Sequence, residues 1–391
     1  MRIVFSTDTY WPRVNGVAVS VEVLRRELVA MGHSVLIFAP EYPESSEGTT
    51  TSPGVIRLPS RYLFFSSEDR LIDVARAQKT AMEALREFRP DILHAHTEFN
   101  GLEILLDYRR KYKIPLIMTC HTYWERYIKV YLPFLPSPAA RQAAIAVTRM
   151  RFRKANLIIA PSQSMKSVLQ AYKIRKPIQV IPTGISADDF DGIDREALRK
   201  HVPWLRNRPA DTRVLSFIGR LSTEKNPSFL LPVLAKVRQH HPNTILLYIG
   251  DGPGRYDLEY MAKTQGLEDA VEFLGYMPRT RLREVYGTTD VFTFPSKTET
   301  QGLVTIEAMM CGTPVVAIGE MGTREVMNGD NGGYMVPDDH EQFSNRVIQL
   351  LNDRKLWLAK SAEAVEYAQR FTSASLAAKM AESYGQLLRR R

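Results

Sequence analysis

Two glutamates eight positions apart, Glu299 and Glu307, stand in the segment FPSKTETQGLVTIEAMMCG that runs from Phe294 to Gly312. A carboxylate accepts two hydrogen bonds and a vicinal diol donates two, so the spacing suits one carboxylate at a sugar and the other at a ribose. A strand ending at Phe294, a polar loop, and a helix opened by Gly302 and stopped by Gly312 would present the amides of Gly302, Leu303 and Val304 to a phosphate. The structural alternative makes Glu299 a helix-capping acid and Glu307 a surface group, yet Glu307 falls on an otherwise apolar helix face. Gly219-Arg220-Leu-Ser-Thr-Glu-Lys225-Asn226-Pro227 forms a second constellation, with two cations bracketing a loop after the buried strand VLSFIG. Such cations would neutralise a departing diphosphate as its charge develops. Asn226 is expected to cap the following helix, with Pro227 at its first position. Were the loop merely surface, both cations would be solvated.

The first strand leaves through Asp8-Thr-Tyr-Trp-Pro-Arg-Val-Asn15-Gly16, where glycine admits a ligand close to the backbone ahead of a helix; a turn glycine is the plainer reading. His94, His96 and His121 follow other strands, and His121, at the end of an apolar strand, is the functional candidate among them. A purely structural histidine is the alternative at that position. His-x-His beside Glu98 hints at a metal, but no further ligand is spaced to complete a site, so none is expected. Gly250-Asp251-Gly252-Pro253-Gly254 reads as a tight turn rather than a dinucleotide fingerprint. Asp189-Phe190-Asp191 lies in an irregular stretch and is discounted as a metal motif.

Alternating strands and helices must position these groups, which predicts parallel sheets covered by helices. The first series has strands at Arg2–Ser6, Ser34–Ala39, Gly54–Pro59, Ile92–His94, Leu116–Thr119, Leu157–Ala160 and Ile178–Ile181. Its helices are expected at Val17–Met31, Asp69–Glu87 and Gly101–Lys113. After an irregular stretch, Pro182–Pro209, a second series places strands at Val214–Ile218, Ile245–Ile249, Val271–Phe273, Val291–Phe294, Val315–Ile318 and Gly333–Val336. Its helices are expected at Asn226–His240, Gly254–Gly266, Thr280–Gly287 and Leu303–Cys311, followed by His340–Asn352, Arg354–Phe371 and Ser375–Arg390. Two Rossmann-like doubly wound domains result, 1–181 with 372–391 and 182–371, with ligands expected at the carboxyl ends of the strands.

At 391 residues the chain is long enough for two cores. Cys120 and Cys311 sit in apolar runs and read as buried free thiols, which fits a reducing, cytoplasmic setting. MRIVFSTDTY shows no signal-peptide pattern, and no apolar run approaches the length of a membrane span. The charge of +9 is uneven: residues 1–180 hold 26 Lys/Arg against 16 Asp/Glu, and residues 109–176 hold 15 basic residues with Glu125 the single acid. Such a field attracts phosphates of nucleic acid or of lipid headgroups, or is simply a solvated basic face. Residues 138–154 mix Ile145, Val147, Met150 and Phe152 with Arg141, Arg149, Arg151, Arg153 and Lys154, a basic amphipathic segment of the kind that lies in a headgroup layer. A nucleic-acid-binding protein would also be basic, but it leaves Glu299 and Glu307 unexplained.

With GRLSTEKN, Glu299 and Glu307, and the glycine loop at Gly16, the chain resembles the family-four retaining glycosyltransferases of the GT-B fold over its full length. The finer likeness, carried by DTYWPRVNGVA, HTEFN, CHTYWERY and SKTETQGLVTIEAM, is to bacterial glucosyltransferases that act on diacylglycerol. This resemblance implies two domains facing a cleft and a last helix crossing back to the first. It implies that Arg220 and Lys225 bind the donor diphosphate, Glu307 the ribose and Glu299 the sugar. Gly16 would then lie near the phosphate, and His121 beside the transferred sugar or the acceptor. It also implies a UDP-hexose donor, a lipid acceptor, an anionic membrane surface on the inner face of the cell membrane, no nucleic acid, no metal and no other cofactor. The neighbouring possibilities are a phosphatidylinositol or soluble acceptor and a nucleotide-sugar epimerase. Ser186 stands where the family often has aspartate.

Overall fold

The computed structural model describes residues 1–13, 15–42, 54–63, 66–125, 136–186, 189–190 and 192–389, without the side chains of 63, 66–69 and 137. Two compact units emerge: Met1–Gly184 with Ser373–Arg391, and Ile185–Thr372.

In the first unit the order is β1 (Arg2–Ser6), α1 (Gly16–Ala30), β2 (Ser34–Pro40), β3 (Val55–Leu58), β4 (Ser60–Leu63), β5 (Ser66–Ile72) and α2 (Val74–Phe88). It continues through β6 (Ile92–Ala95), α3 (Asn100–Tyr112), β7 (Leu116–Thr119), α4 (Ser137–Phe152), β8 (Leu157–Ala160), α5 (Gln163–Ala171) and β9 (Ile178–Val180). Seven strands form one sheet in the order β3-β2-β1-β6-β7-β8-β9, every pairing parallel. The order reverses at β1, which therefore sits at the topological switch point where such sheets bind ligands. Strands such as β6 and β7 are buried end to end, as expected when helices cover both faces. The C-terminal helix, Ser373–Arg389, belongs to this unit and buries Leu376, Ala377, Met380 and Tyr384. A Cβ on Gly184 would come within 2.3 Å of the Ser373 backbone, so only glycine lets the two segments meet.

The second unit contains α6 (Arg195–His201), β10 (Arg213–Ile218), α7 (Leu230–His240), β11 (Thr244–Ile249), α8 (Arg255–Thr264), β12 (Val271–Gly275), α9 (Arg279–Thr288) and β13 (Val291–Phe294). There follow α10 (Leu303–Met310), β14 (Val315–Ile318), α11 (Met321–Met327), β15 (Gly333–Val336), α12 (His340–Asn352) and α13 (Arg354–Ala368). Its parallel sheet runs β12-β11-β10-β13-β14-β15, with the switch point at β10.

Three local readings change. Residues expected to start a helix at Asp69 instead pair as β5 against β4, antiparallel, and α2 starts only after Asp73, whose carboxylate accepts from the Arg76 amide at 3.4 Å. Asn226 does not cap a helix. It adopts φ 57° with no side-chain cap, and a 3-10 turn, Pro227–Phe229, precedes α7. An N-cap needs extended backbone, and the left-handed region ends one turn and begins another. Short helices α5, α6 and α11 also stand where the sequence suggested none; α5 is announced by Ser162, which accepts from the Met165 amide at 3.2 Å.

Candidate functional site

In the second unit, the two segments that carry the chemistry are drawn together by side chains. β10 exits through Gly219 and β11 through Gly250, where a Cβ would lie 2.1 Å from the Gly219 carbonyl. With φ of 124°, Gly250 is doubly required to be glycine. The GDGPG run is thus a tight turn that braces the Gly219–Lys225 loop, with the Gly254 amide donating to the Leu221 carbonyl at 2.8 Å. Across from it lies the loop after β13. Lys225 donates to Glu299 at 2.5 Å, Thr298 to the Glu224 carbonyl at 3.0 Å, and Asn226 to the Pro295 carbonyl at 3.4 Å. Asn226 therefore ties the loops together instead of capping a helix.

Burial pushes the Glu299 carboxyl up, but the Lys225 ammonium and hydrogen bonds from the backbone of Gly302 and Gln301 outweigh it, and the group ends below its ordinary value. The Gly302 amide is thus one of the donors that favour the ionised Glu299 carboxylate. Gly302 itself takes φ 82° ahead of α10 and contributes no side-chain cap. Leu303 and Val304 follow as the first helical residues, whose amides lack partners inside their own helix. Beside them the buried hydroxyls of Thr305 and Thr323 have no hydrogen-bond partner among the described residues, and both lie within 3.7 Å of a Cβ built on Gly302. Arg220 is half-buried, and its guanidinium makes no ion pair among the described residues. The start of α10 thus brings together amides without helical partners, two unused hydroxyls and the Lys225–Glu299 pair, which is chemistry suited to a phosphate.

Glu307 is more enclosed than its spacing suggests. It is 4% exposed, and its oxygens face the Arg279 guanidinium at 3.0 Å and the Tyr286 hydroxyl at 2.9 Å. Arg279 also approaches Asp189 at 3.3 Å and stacks over Phe190. Burial lifts the Glu307 carboxyl above its usual range, against the pull of Arg279. A ligand diol meeting Glu307 would share acceptors that are already in use. Arg279 and Tyr286 were not singled out from the sequence. Their signal is the helix start Pro278-Arg279 after β12, a strand whose carboxyl end belongs to the same edge of the sheet. Gly322 is another such residue: a Cβ there would lie 2.4 Å from the Gln301 amide, so it lets α11 press on the Glu299 loop.

In the first unit, Gly16 opens α1 with Asn15 capping it, accepting from the Ala18 amide at 2.9 Å. A Cβ at Gly16 would meet nothing within 4 Å, so space lies open there. Asp8 is a latch: buried, it accepts from Thr97 at 2.7 Å, the Ile72 amide at 3.1 Å and the Gly101 amide at 3.2 Å. Glu98 accepts from the Trp124 indole, and burial raises its carboxyl to about 7. The histidines form a row. His94 is bound on both nitrogens, to Tyr384 of the C-terminal helix and to Thr119, each at 2.7 Å. It stacks on His96 at 4.1 Å, and His96 meets His121 at 3.2 Å. Burial lowers His94 to about 3 and His121 to about 4, so the row is uncharged at neutral pH. No group of three His, Cys, Asp or Glu among the described residues is placed to hold a metal.

The basic segment divides. Phe152 is fully buried and Ile145 packs on the core, leaving Val147 and Met150 of the four apolar residues exposed, at 48% and 52%. Arg141 pairs with Glu125, and Arg151 with Glu103, while Arg149 lines a shallow groove with Tyr123 and Tyr172. The aromatic member of the expected membrane face is therefore a core residue. No helix among the described residues is long and apolar enough to cross a membrane. Cys120 and Cys311 are buried and free.

Comparison with known proteins matches residues 14–189 to the family model described as Glycosyltransferase Family 4 and residues 202–371 to Glycosyl transferases group 1. The alpha-monoglucosyldiacylglycerol synthase of Streptococcus pneumoniae is 31% identical over 354 residues, 90% of this chain and 78% of its own. A D-inositol 3-phosphate glycosyltransferase of Stackebrandtia nassauensis is 28% identical across 77% of this chain and 69% of its own. Among solved structures, sucrose-phosphate synthase from Thermosynechococcus elongatus superposes with a TM-score of 0.82 at 21% identity, over 100% of this chain and 99% of that one. HepE of Anabaena, in complex with UDP-glucose, gives 0.74 at 20% identity, over 98% and 99%. These likenesses establish the two-domain GT-B fold.

Proposed function

The chain belongs to glycosyltransferase family 4, and from that premise we propose that it moves a hexose, glucose by preference, from a UDP-sugar to diacylglycerol with retention of the anomeric configuration. One observation carries the donor half: Lys225 and Glu299 close two loops beside the start of α10, where Thr305 and Thr323 hold unused buried hydroxyls. In this reading Arg220, Lys225 and the amides of Leu303 and Val304 hold the diphosphate, Glu299 orients the sugar, and Glu307 meets the ribose. The bond from the anomeric carbon to the diphosphate oxygen breaks through an oxocarbenium-like state. The acceptor oxygen bonds on the same face, and its proton passes to the departing diphosphate. Arg220 and Lys225 stabilise the charge that develops there. Gly16 lies near the phosphate, and His121 beside the transferred sugar or the acceptor. The lipid acceptor rests on the Streptococcus pneumoniae relative, and UDP as carrier on the Anabaena complex of the same fold. Action at an anionic membrane surface, as a peripheral protein of the inner face, rests on the basic residues of 109–176.

A second acceptor, a phosphorylated inositol, is favoured by the Stackebrandtia nassauensis relative. The test offers UDP-glucose, UDP-galactose and GDP-mannose to the purified protein, with diacylglycerol vesicles of varied anionic content or with inositol 3-phosphate, followed by product analysis. Glucosyl-diacylglycerol, rising with anionic lipid, is the expected product. A sugar converted without any acceptor would make the protein an epimerase and end the proposal.

A further inference from the structure

A depression of ≈ 1040 Å³ in the first unit opens at the amino ends of β7, β8 and β9, whereas the histidine row stands at the carboxyl ends of β6 and β7. Cations reach it from three segments: Arg109, Arg110 and Lys113 around the end of α3, Arg153 and Lys154 after α4, and Lys176 before β9. Among the described residues Glu103 is the one acid lining it, and that carboxylate is spent on Arg151 and Lys154. Arg110 pairs with Asp107. Lys113, Arg153 and Lys176 make no ion pair among the described residues.

Cations on a helix's last turn complement its dipole, which accounts for those of α3 and α4 taken singly. It does not account for Lys176, nor for three segments converging on one concavity, where like charges repel. We infer that this depression is a second anion site, separate from the donor-binding loops, that takes a phosphate-bearing ligand: a phospholipid headgroup or a soluble polyphosphate. Ammonium and guanidinium groups together suit a multiply charged oxyanion, and the volume exceeds that of a single phosphate. The burial that depresses Arg109 and Lys154 would be offset by such an anion.

The headgroup case rests on the membrane reading above, whereas the site itself does not depend on the acceptor assigned there. Full-length protein and its Lys113→Glu/Lys176→Glu variant are titrated with pyrophosphate by calorimetry, and sedimented with phosphatidylcholine vesicles with and without phosphatidylglycerol. Both substituted residues are exposed and belong to the first unit, so hydrolysis of UDP-glucose without vesicles should be equal in the two proteins. A loss of about tenfold or more in pyrophosphate affinity identifies a soluble ligand, and a similar loss confined to phosphatidylglycerol vesicles identifies a headgroup. Equal binding of both probes by wild type and variant overturns the site. Absence of glucosyl transfer to diacylglycerol, with variant-sensitive anion binding intact, would refute the acceptor assignment alone.

Discussion

Both units use the same doubly wound scaffold, yet they treat charge at their strand ends in opposite ways. The second unit pairs opposite charges there: Lys225 with Glu299, and Arg279 with Glu307 and Asp189. The first unit removes charge instead. Burial keeps His94 and His121 neutral and lifts Glu98 to about 7, while six cations gather at the other ends of the strands. A charged set of groups suits a diphosphate leaving group, while an uncharged, hydrogen-bonded set suits a hydroxyl acceptor. The proposed division between donor and acceptor therefore has an electrostatic basis that can be attacked from either side.

The largest effect is expected at Lys225. Its ammonium pairs with a half-buried carboxylate beside the diphosphate site, and removing one group that stabilises developing charge costs about 2.7–4 kcal/mol. Lys225→Ala should lower kcat/KM for UDP-glucose by about 10³-fold, at about 1.4 kcal/mol per decade. Steady-state kinetics within threefold of wild type would show that the pair is only structural.

Glu98 tests the other side. Its folded value of about 7 stands above the ordinary carboxyl value of 4.5. The folded state therefore binds more protons than the unfolded one between those values, and stability falls as pH rises through that window. Glu98→Gln abolishes the ionisation, so the variant should gain on wild type by up to about 3 kcal/mol between pH 4.5 and 8. Urea unfolding at several pH values measures the difference. A flat difference would mean that Glu98 is ionised in the folded protein and that the first unit is not the uncharged one.

A smaller effect belongs to Tyr286. Its hydroxyl is one of two groups on Glu307, and a hydrogen bond to a charged acceptor is worth about 1.5–3 kcal/mol. Tyr286→Phe should raise the KM for UDP-glucose about tenfold with little change in kcat. A fall in kcat alone would place Glu307 at the reacting carbon rather than at the ribose.

The fold was legible because both sheets are parallel and buried, so that strands read as short apolar runs between turn residues. The β4–β5 pairing was not, because residues 66–72 carry polar and charged types that fit a helix start as well as an edge hairpin. The candidate site was legible where motifs are continuous, as in Gly219–Pro227 and Phe294–Gly312. Groups that reach the site from elsewhere in the chain left only weak signals. Arg279 and Tyr286 come from α9, Gly322 from the start of α11, and Tyr384 reaches His94 from 290 residues away. The basic segment was ambiguous for a physical reason. A helix that packs on a core and one that lies in a headgroup layer share the same amphipathic pattern, so Phe152 could not be assigned to a face.

That ambiguity frames the smallest change. Val147 and Met150 are exposed on α4 and touch little, so replacing both with serine should shift the unfolding free energy by no more than about 0.5 kcal/mol. Phe152→Ala in the same helix should cost about 3–5 kcal/mol, since a fully buried ring leaves a cavity. If α4 meets the membrane as proposed, the serine pair forfeits the burial of two apolar side chains in lipid, about 1.5–3 kcal/mol each when complete. Vesicle affinity should then fall at least tenfold while the melting temperature stays put. Should sedimentation with anionic vesicles be unchanged, the exposed residues of α4 do not enter the bilayer. Attraction of the first unit to a membrane would then rest on its cations alone and would vanish at high salt.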